Sequence, residues 1–417
     1  MNFFEKINGI DDSVFCPLPF IHMYIHSAET EHPCCVFQKT TNQILNTIPN
    51  KSRNLKQEWN SEFYQNIRQR IISGEQISGC QQCYYIEKSG SDSDRKASIR
   101  RYRKLLKDNP ELQNITLDTI NGNSLGSPWE SDLRPGNLCN LQCRMCGPAS
   151  SSQLNKEYEK LGLPTFDENL ETQWMSDDNL EFLLRHADKG KKIKFLGGEP
   201  TIMPGVLNII DKLIEQNKTD VRLHFTSNLT NVNKNFLDRI KQFSNISISI
   251  SMDGIGDTLE YIRYPVKWEQ IRKNIKTYVD LPSVRTMDIS FTIQAYNIVN
   301  ILDTCEWLEE FNKTNNCEIY LRPKVLTYPE HLSYRVLPKK FRDRYLRGVL
   351  KHTSTKNKRI YHIPKIEQML ADTVETDRTE FIHNTVLFDI SRKQSIKDYI
   401  PEIYDIIKNE YVRKYNE

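Results

Sequence analysis

No stretch of this chain approaches the ~20 consecutive apolar residues that cross a bilayer, which excludes a membrane-spanning helix. Its start, Met1-Asn2-Phe3-Phe4-Glu5-Lys6, lacks a basic opening followed by an apolar run, and so predicts no secretory signal. Charge of one sign is not in excess: 57 Lys and Arg face 54 Asp and Glu, a net charge of +3, which argues against a dedicated nucleic-acid binder. There are no internal repeats and no low-complexity tract. What is present is cysteine, ten residues in a chain of 417. Without an export signal these read as reduced thiols and metal ligands in a cytoplasm rather than a disulfide framework. A hydrophobic fraction of 38% supplies cores for two or three units.

Three of the thiols, Cys139, Cys143 and Cys146, stand in Asn137-Leu138-Cys139-Asn140-Leu141-Gln142-Cys143-Arg144-Met145-Cys146-Gly147-Pro148. A four-iron cubane usually takes four thiolates, so a loop that supplies three leaves one iron open to another ligand. Zinc instead favours C-x2-C pairs with a fourth ligand. The C-x3-C-x2-C spacing, directly after the strand-like Asp132-Leu133-Arg134-Pro135, resembles the radical S-adenosylmethionine (SAM) superfamily. That resemblance implies a [4Fe-4S] cluster on the three Cys, with SAM chelating its open iron.

A second motif follows a short apolar strand, Lys192–Leu196, and precedes a helical pattern from Val206 to Ile214. It is Gly197-Gly198-Glu199-Pro200. Paired glycines allow close backbone approach, and a carboxylate beside them can accept hydrogen bonds from an ammonium group. By resemblance Gly197, Gly198 and Glu199 hold the SAM amino group. Two further strands end in Ser227-Asn228 and in Ser251-Met252-Asp253-Gly254, short polar groups able to bond a ribose or a carboxylate; turns satisfying their own backbone are the alternative. The resemblance makes Ser227, Asn228, Ser251 and Asp253 ribose-side residues and places Arg263 near the SAM carboxylate. Met145 stands where many family members carry an aromatic, beside the cofactor.

The middle of the chain alternates strand and helix. Strands are expected at Asp132–Gly136, Lys192–Leu196, Val221–Thr226, Ile246–Ser251, Met287–Gln294 and Glu318–Val325, with helical patterns such as Val232–Phe243, Glu269–Val279 and Ile301–Phe311. Such alternation predicts an α/β fold with a parallel sheet. Six units match the partial (β/α)6, TIM-like barrel of the radical SAM core, with its reactive face at the strands' C-terminal ends. The expected organisation is an N-terminal Cys-rich unit over 1–108, a linker over 109–130, the barrel over 131–330 and a mostly helical C-terminal extension over 331–417.

The N-terminal unit carries Cys16 in Phe15-Cys16-Pro17-Leu18-Pro19, the doublet Cys34-Cys35, and the C-x2-C pair Cys80 and Cys83. One of the doublet with the other three makes a set of four, with the helical stretch from Trp59 to Ile72 joining the two halves. The set resembles SPASM/twitch auxiliary-cluster modules, which usually follow the barrel rather than precede it, and it implies an auxiliary [4Fe-4S] cluster. A zinc site remains the alternative. Phe388-Asp389-x2-Arg392 and Pro401-Glu402 resemble the tail of such proteins. Cys305 and Cys317 read as buried free thiols. Basic stretches at Arg95–Lys107 and Arg335–Arg359 read first as solvated helix faces.

The resemblance implies reductive cleavage of SAM to a 5′-deoxyadenosyl radical that takes hydrogen from the substrate. The expected outcome is redox modification of a peptide, protein or small molecule. A reductant such as flavodoxin or ferredoxin is implied as partner, and no membrane. Radical rearrangement or modification of a nucleotide or nucleic-acid base is an alternative that rests on the basic stretches. A non-catalytic iron–sulfur or zinc scaffold is a third reading, opposed by the intact Gly197-Gly198-Glu199.

Overall fold

The computed structural model describes residues 13–25, 32–38, 54–88, 92–108, 126–167, 175–185, 187, 191–354 and 363–416. Seven strands occur among them: β1 His22–Ile25, β2 Glu130–Leu133, β3 Lys192–Phe195, β4 Arg222–Ser227, β5 Ile246–Ser251, β6 Val284–Ile293 and β7 Ile319–Val325. Their order in one sheet follows the sequence. The pairings β1–β2, β2–β3, β5–β6 and β6–β7 are parallel.

All six expected strands are present. The first runs over Glu130–Leu133 rather than Asp132–Gly136, since Pro135 has no N–H to offer a ladder. The seventh, β1, was not foreseen. It is four residues long, buried throughout, and follows a one-turn helix, Leu18–Ile21, so neither length nor alternation announces it.

Most other strands do alternate. In β5 Ile246, Ile248 and Ile250 are buried while Ser247, Ser249 and Ser251 are half-buried, and β4 does the same with Leu223 and Phe225. One face of the sheet is therefore apolar and the other polar, unlike the doubly apolar strands of a fully covered parallel sheet. Connecting helices bury a matching stripe. Pro204–Glu215 starts with a proline in its first turn and buries Val206, Ile209, Ile210 and Leu213, an i, i+3, i+4, i+7 row contributing roughly 1.5–3 kcal/mol per side chain. Trp268–Val279 does so with Ile271, Ile275 and Tyr278.

The chain divides into two compact units: Met1–Gly136 with Asp167–Gly197 and Met203–His224, and Asn137–Phe166 with Gly198–Ile202 and Phe225–Glu417. The expected linker lies outside the described residues over 109–125, and its last residue, Glu130, already belongs to β2. The C-terminal region is helical as expected, with Lys339–Ser354, Ile363–Ala371, Thr379–Arg392, Ile396–Tyr399 and Pro401–Asn416. No helix among the described residues is long and apolar enough to cross a membrane.

The basic stretches are not simple solvated faces. In the helix Asp94–Asp108, Arg95 is buried and pairs with Glu87, Arg101 pairs with Glu130 at 2.6 Å, and Arg100 pairs with Asp92. In the second stretch Arg342 is fully buried and donates to the Asp372 and Val374 carbonyls, while residues 355–362, Arg359 and Tyr361 among them, lie outside the described residues. Cys305 is buried as expected, whereas Cys317 is only half-buried, its thiol donating to Asn312 Oδ1 at 3.4 Å.

Candidate active site

The loop that leaves β2 carries the three thiols, and its neighbours grip it from two sides. At the head of the helix Ser152–Lys160, Ser152 Oγ accepts from Cys139 N at 3.3 Å, and Ser151 Oγ donates to Leu141 O at 2.5 Å while capping Leu154 N. On the other side Gln142 N donates to Tyr264 O at 2.7 Å and Arg144 N to Ile262 O at 2.8 Å. Cys146 N closes a turn onto Cys143 O at 3.1 Å. Cys139 and Cys143 are buried and Cys146 is half-buried.

Burial pushes the Cys139 thiol up to about 12. Cys143 and Cys146 share a hydrogen bond that holds the first well above its ordinary value and the second below it. Arg263 Nη1 stands 3.6 Å from Cys143 Sγ and favours the thiolate form of both. Three such donors beside a guanidinium fit a metal centre that displaces their protons and carries net negative charge.

The Gly-Gly-Glu segment follows β3. Gly197 adopts φ +116°, and a Cβ on it would stand 2.6 Å from Gly136 O. A Cβ on Gly198 would overlap the Leu138 carbonyl of the thiol loop, whose oxygen accepts from Glu199 N at 2.8 Å. The glycines are thus required by the neighbouring protein backbone, a reason the sequence did not disclose.

Glu199 is fully buried, which raises its carboxyl against four opposing hydrogen bonds. Oε1 accepts from Thr201 Oγ1 at 2.6 Å, Thr201 N at 3.2 Å and Ser227 Oγ at 2.8 Å; Oε2 accepts from Asn228 N at 2.7 Å. An ionised carboxylate offers about four lone-pair sites. Three donors crowd Oε1, so Oε2 retains room for one more. Asn228 also donates through Nδ2 to Asn140 Oδ1 at 3.0 Å and lies 4.0 Å from Cys139 Sγ, while its Oδ1 accepts from Thr230.

Asp253 is buried, and both its oxygens are engaged. Oδ2 accepts from Arg263 Nη2 at 2.6 Å and Nε at 2.7 Å, and Oδ1 accepts from Thr292 N at 2.7 Å. Burial raises its carboxyl, and Arg263 opposes the rise. Asp253 thus positions Arg263 against Cys143. Ser251 and Met145 are half-buried, the first at the C-terminal end of β5 and the second within the thiol loop.

Sequence reasoning did not reach the residues that anchor this loop to the C-terminal region. Arg144, between Cys143 and Cys146 in sequence, is buried; its guanidinium stacks 3.7 Å over Tyr261, donates to Tyr261 O at 3.1 Å and pairs with Asp389 at 2.5 Å. Asp389 accepts in addition from Tyr261 OH, Ile396 N and Tyr411 OH. Beside it Arg392 and Glu157 form a buried pair at 2.7 Å. The tail motif Phe388-Asp389-x2-Arg392 was the available signal, but nothing local tied it to the thiol loop.

The N-terminal cysteines converge in the other unit. Cys16 packs in a buried cluster with Phe15, Phe20, Ile67 and Tyr102, and Cys34 and Cys80 lie against it. Burial pushes Cys16 and Cys80 up to about 12, and the thiols add to it: Cys80 and Cys83 act on Cys16, Cys16 and Cys80 act on Cys34, and Cys83 acts on Cys80. Arg95 works the other way on Cys16, Cys80 and Cys83. Gly79, next to Cys80, has no room for a Cβ: the Phe37 ring fills the space and Gln38 O would be 2.7 Å away. Helix Glu62–Ile72 binds both neighbouring segments through Arg68 Nε to Pro19 O and Tyr64 OH to His32 O, each 2.8 Å. Cys35 is exposed and acts on Tyr24 and Lys194 as well as on its neighbour Cys34. Among the described residues no three Cys, His, Asp or Glu side chains already have the spacing to hold a single metal ion.

Comparison with known proteins adds an independent view. The chain is 23% identical over 177 residues to the probable GTP 3′,8-cyclase of Methanocaldococcus jannaschii, covering 42% of this chain and 53% of that protein. Among solved structures, Streptococcus suis SuiB bound to S-adenosylmethionine aligns with 58% of this chain and 52% of its own at 16% identity and a TM-score of 0.38. Native anSMEcpe with bound AdoMet and Cp18Cys peptide aligns with 64% and 66% at 13% identity and a TM-score of 0.35. The chain thus spans about half the length of the first two. Residues 133–308, which hold the three-thiol loop, the Gly-Gly-Glu segment and the Asp253–Arg263 pair, match the radical SAM superfamily.

Proposed function

We propose that the chain is an enzyme that binds SAM at a [4Fe-4S] cluster on Cys139, Cys143 and Cys146 and takes a hydrogen atom from a peptide, protein or small-molecule substrate in a net redox modification. Asn228 is the observation that carries this reading. Its backbone N–H fixes Glu199 Oε2, and its side chain reaches Cys139 Sγ, so one residue joins an amine-binding carboxylate to a cluster ligand. A metal scaffold without chemistry has no use for that junction. When bound, cluster and SAM supply the electron transfer and the carbon radical that break an unactivated C–H bond. Glu199 Oε2 orients the amino group, Arg263 balances the thiolates' charge, and Ser251 and Met145 border the nucleoside. The test is anaerobic reconstitution with SAM and dithionite. Release of 5′-deoxyadenosine is expected; none from protein carrying its full iron would sink the proposal.

Cys16, Cys34, Cys80 and Cys83 form a second centre in this reading, an auxiliary [4Fe-4S] cluster with Arg95 offsetting its charge. Four thiolates leave no open iron, which suits acceptance of an electron from the substrate and hence net oxidation. Zinc in the same thiols would give a purely structural site; iron and zinc analysis of the Cys139→Ala/Cys143→Ala/Cys146→Ala variant separates the two. A nucleotide substrate is the second reading, supported by the similarity to a probable GTP 3′,8-cyclase over half of that protein. The internal pairing of Arg95, Arg100 and Arg101 weighs against it. Anaerobic turnover with a nucleoside triphosphate and with a peptide as the candidate substrate, followed by mass analysis of each, decides between them.

A further inference from the structure

A surface cavity of about 260 Å³ opens against the thiol loop itself, lined by Gln142, Gln153, Lys156, Lys160, Tyr264 and Arg392, with Glu157 and Ser391. Gln142 lies between Cys139 and Cys143, and its backbone amide donates to Tyr264 O, so two lining residues are tied together at the thiol loop. Gln153, Lys156, Glu157 and Lys160 are one stripe of the helix Ser152–Lys160, at i, i+3, i+4 and i+7. Charge along that stripe is one-sided. Glu157, the single carboxylate of the lining, is buried and held by Arg392 at 2.7 Å and Ser391 at 2.9 Å. Lys156 and Lys160 are exposed, and Arg392 Nη1 is a buried donor with no hydrogen-bond partner. The lining is therefore net positive and polar, and its Gln142 directly precedes Cys143.

We propose that this face docks a small acidic one-electron carrier protein. The inference rests on the reading of the loop as holder of a cluster that must be reduced. Cys139, Cys143 and Cys146 would hold the metal centre that accepts one electron from the reduced carrier, with no atom or proton exchanged. Complementary charge at such a rim acts chiefly on encounter rate and on salt dependence.

The experiment uses the full, anaerobically reconstituted chain and a reduced flavodoxin as probe, comparing wild type with Lys156→Glu/Lys160→Glu. Calorimetric binding of flavodoxin should weaken ~tenfold or more in the variant, with the difference shrinking as salt is raised. The flavodoxin-driven rate of 5′-deoxyadenosine release should fall likewise, while iron content and the dithionite-driven rate stay at the wild-type level. Flavodoxin binding that is equal in the two proteins, or insensitive to salt in the wild type, overturns the docking site. So does inorganic phosphate binding at the cavity without any competition against flavodoxin, since the face would then be a small-anion site. Failure of dithionite to produce 5′-deoxyadenosine in the wild type counts against the enzymatic reading, and the binding arm still decides the docking.

Discussion

Cys34 and Cys35 adjoin in sequence but face different surroundings. Cys34 is raised well above its ordinary value by burial and by Cys16, whereas Cys35 is exposed beside Tyr24 and Lys194. Sequence alone made four N-terminal thiols legible but not which member of the doublet completes them, because adjacent residues differ in side-chain direction and not in spacing. If the N-terminal thiols hold a cluster as proposed, Cys34→Ala should lose its iron while Cys35→Ala keeps it; equal losses in iron analysis would refute the assignment. Glu199 was legible from its motif, and its donors now set a cost for changing it. Glu199→Gln places an amide among N–H and O–H donors, leaving a buried group unsatisfied at roughly 1–3 kcal/mol, so SAM affinity should fall about ten- to a hundredfold by equilibrium dialysis. Lys191 escaped notice altogether. It is fully buried at the start of β3, donates to Pro128 O and Leu183 O, and is pushed down to about 7 by burial and, secondarily, by Lys218. Its folded pKa lies below the unfolded value of about 10.4, so between the two the unfolded chain binds more protons. Stability should therefore rise as pH climbs from about 7 toward 10 and be lost as pH falls. Lys191→Met should flatten that slope in urea unfolding at pH 7 and 9, and an unchanged slope would remove Lys191 as its cause.

At the scale of elements, the six strands foreseen carry enough length or alternation to be read, whereas β1 lacks both and is defined by its pairing with β2, Tyr24 opposite Asp132. The C-terminal helices were legible as helices, but their purpose was not, since it lies in contacts across more than two hundred residues. Thr379–Arg392 presents Asp389 to Arg144 and Arg392 to Glu157, holding the thiol loop and the helix that follows it. Breaking one member of a buried pair leaves an uncompensated charge, worth about 3–5 kcal/mol. Asp389→Ala should thus lower thermal stability sharply and release iron from the three-thiol loop. Arg144→Met/Asp389→Leu, which removes both charges at similar volume, should recover much of the stability. If the double variant melts no higher than the single one, the ion pair is not what joins the two elements.

For the whole molecule, each of the two compact units carries its own thiol set: Cys16, Cys34, Cys80 and Cys83 in the first, Cys139, Cys143 and Cys146 in the second. Local opening free energies vary across a protein, and a bound metal stabilises the state that presents its ligands. If both sets hold clusters, stripping one should loosen its own unit first. Cys16→Ala/Cys80→Ala should speed amide hydrogen exchange in the helices Glu62–Ile72 and Asp94–Asp108 and in β1–β3, leaving β5–β7 and residues 139–146 protected. Cys139→Ala/Cys143→Ala should do the reverse, exposing residues 139–146, whose Gln142 and Arg144 amides donate to the Tyr264 and Ile262 carbonyls. The measurement is peptide-resolved exchange on anaerobically prepared protein before and after each substitution. Protection lost evenly across both units by either variant would mean that the chain opens as a single cooperative body, and that neither thiol set stabilises its unit in particular.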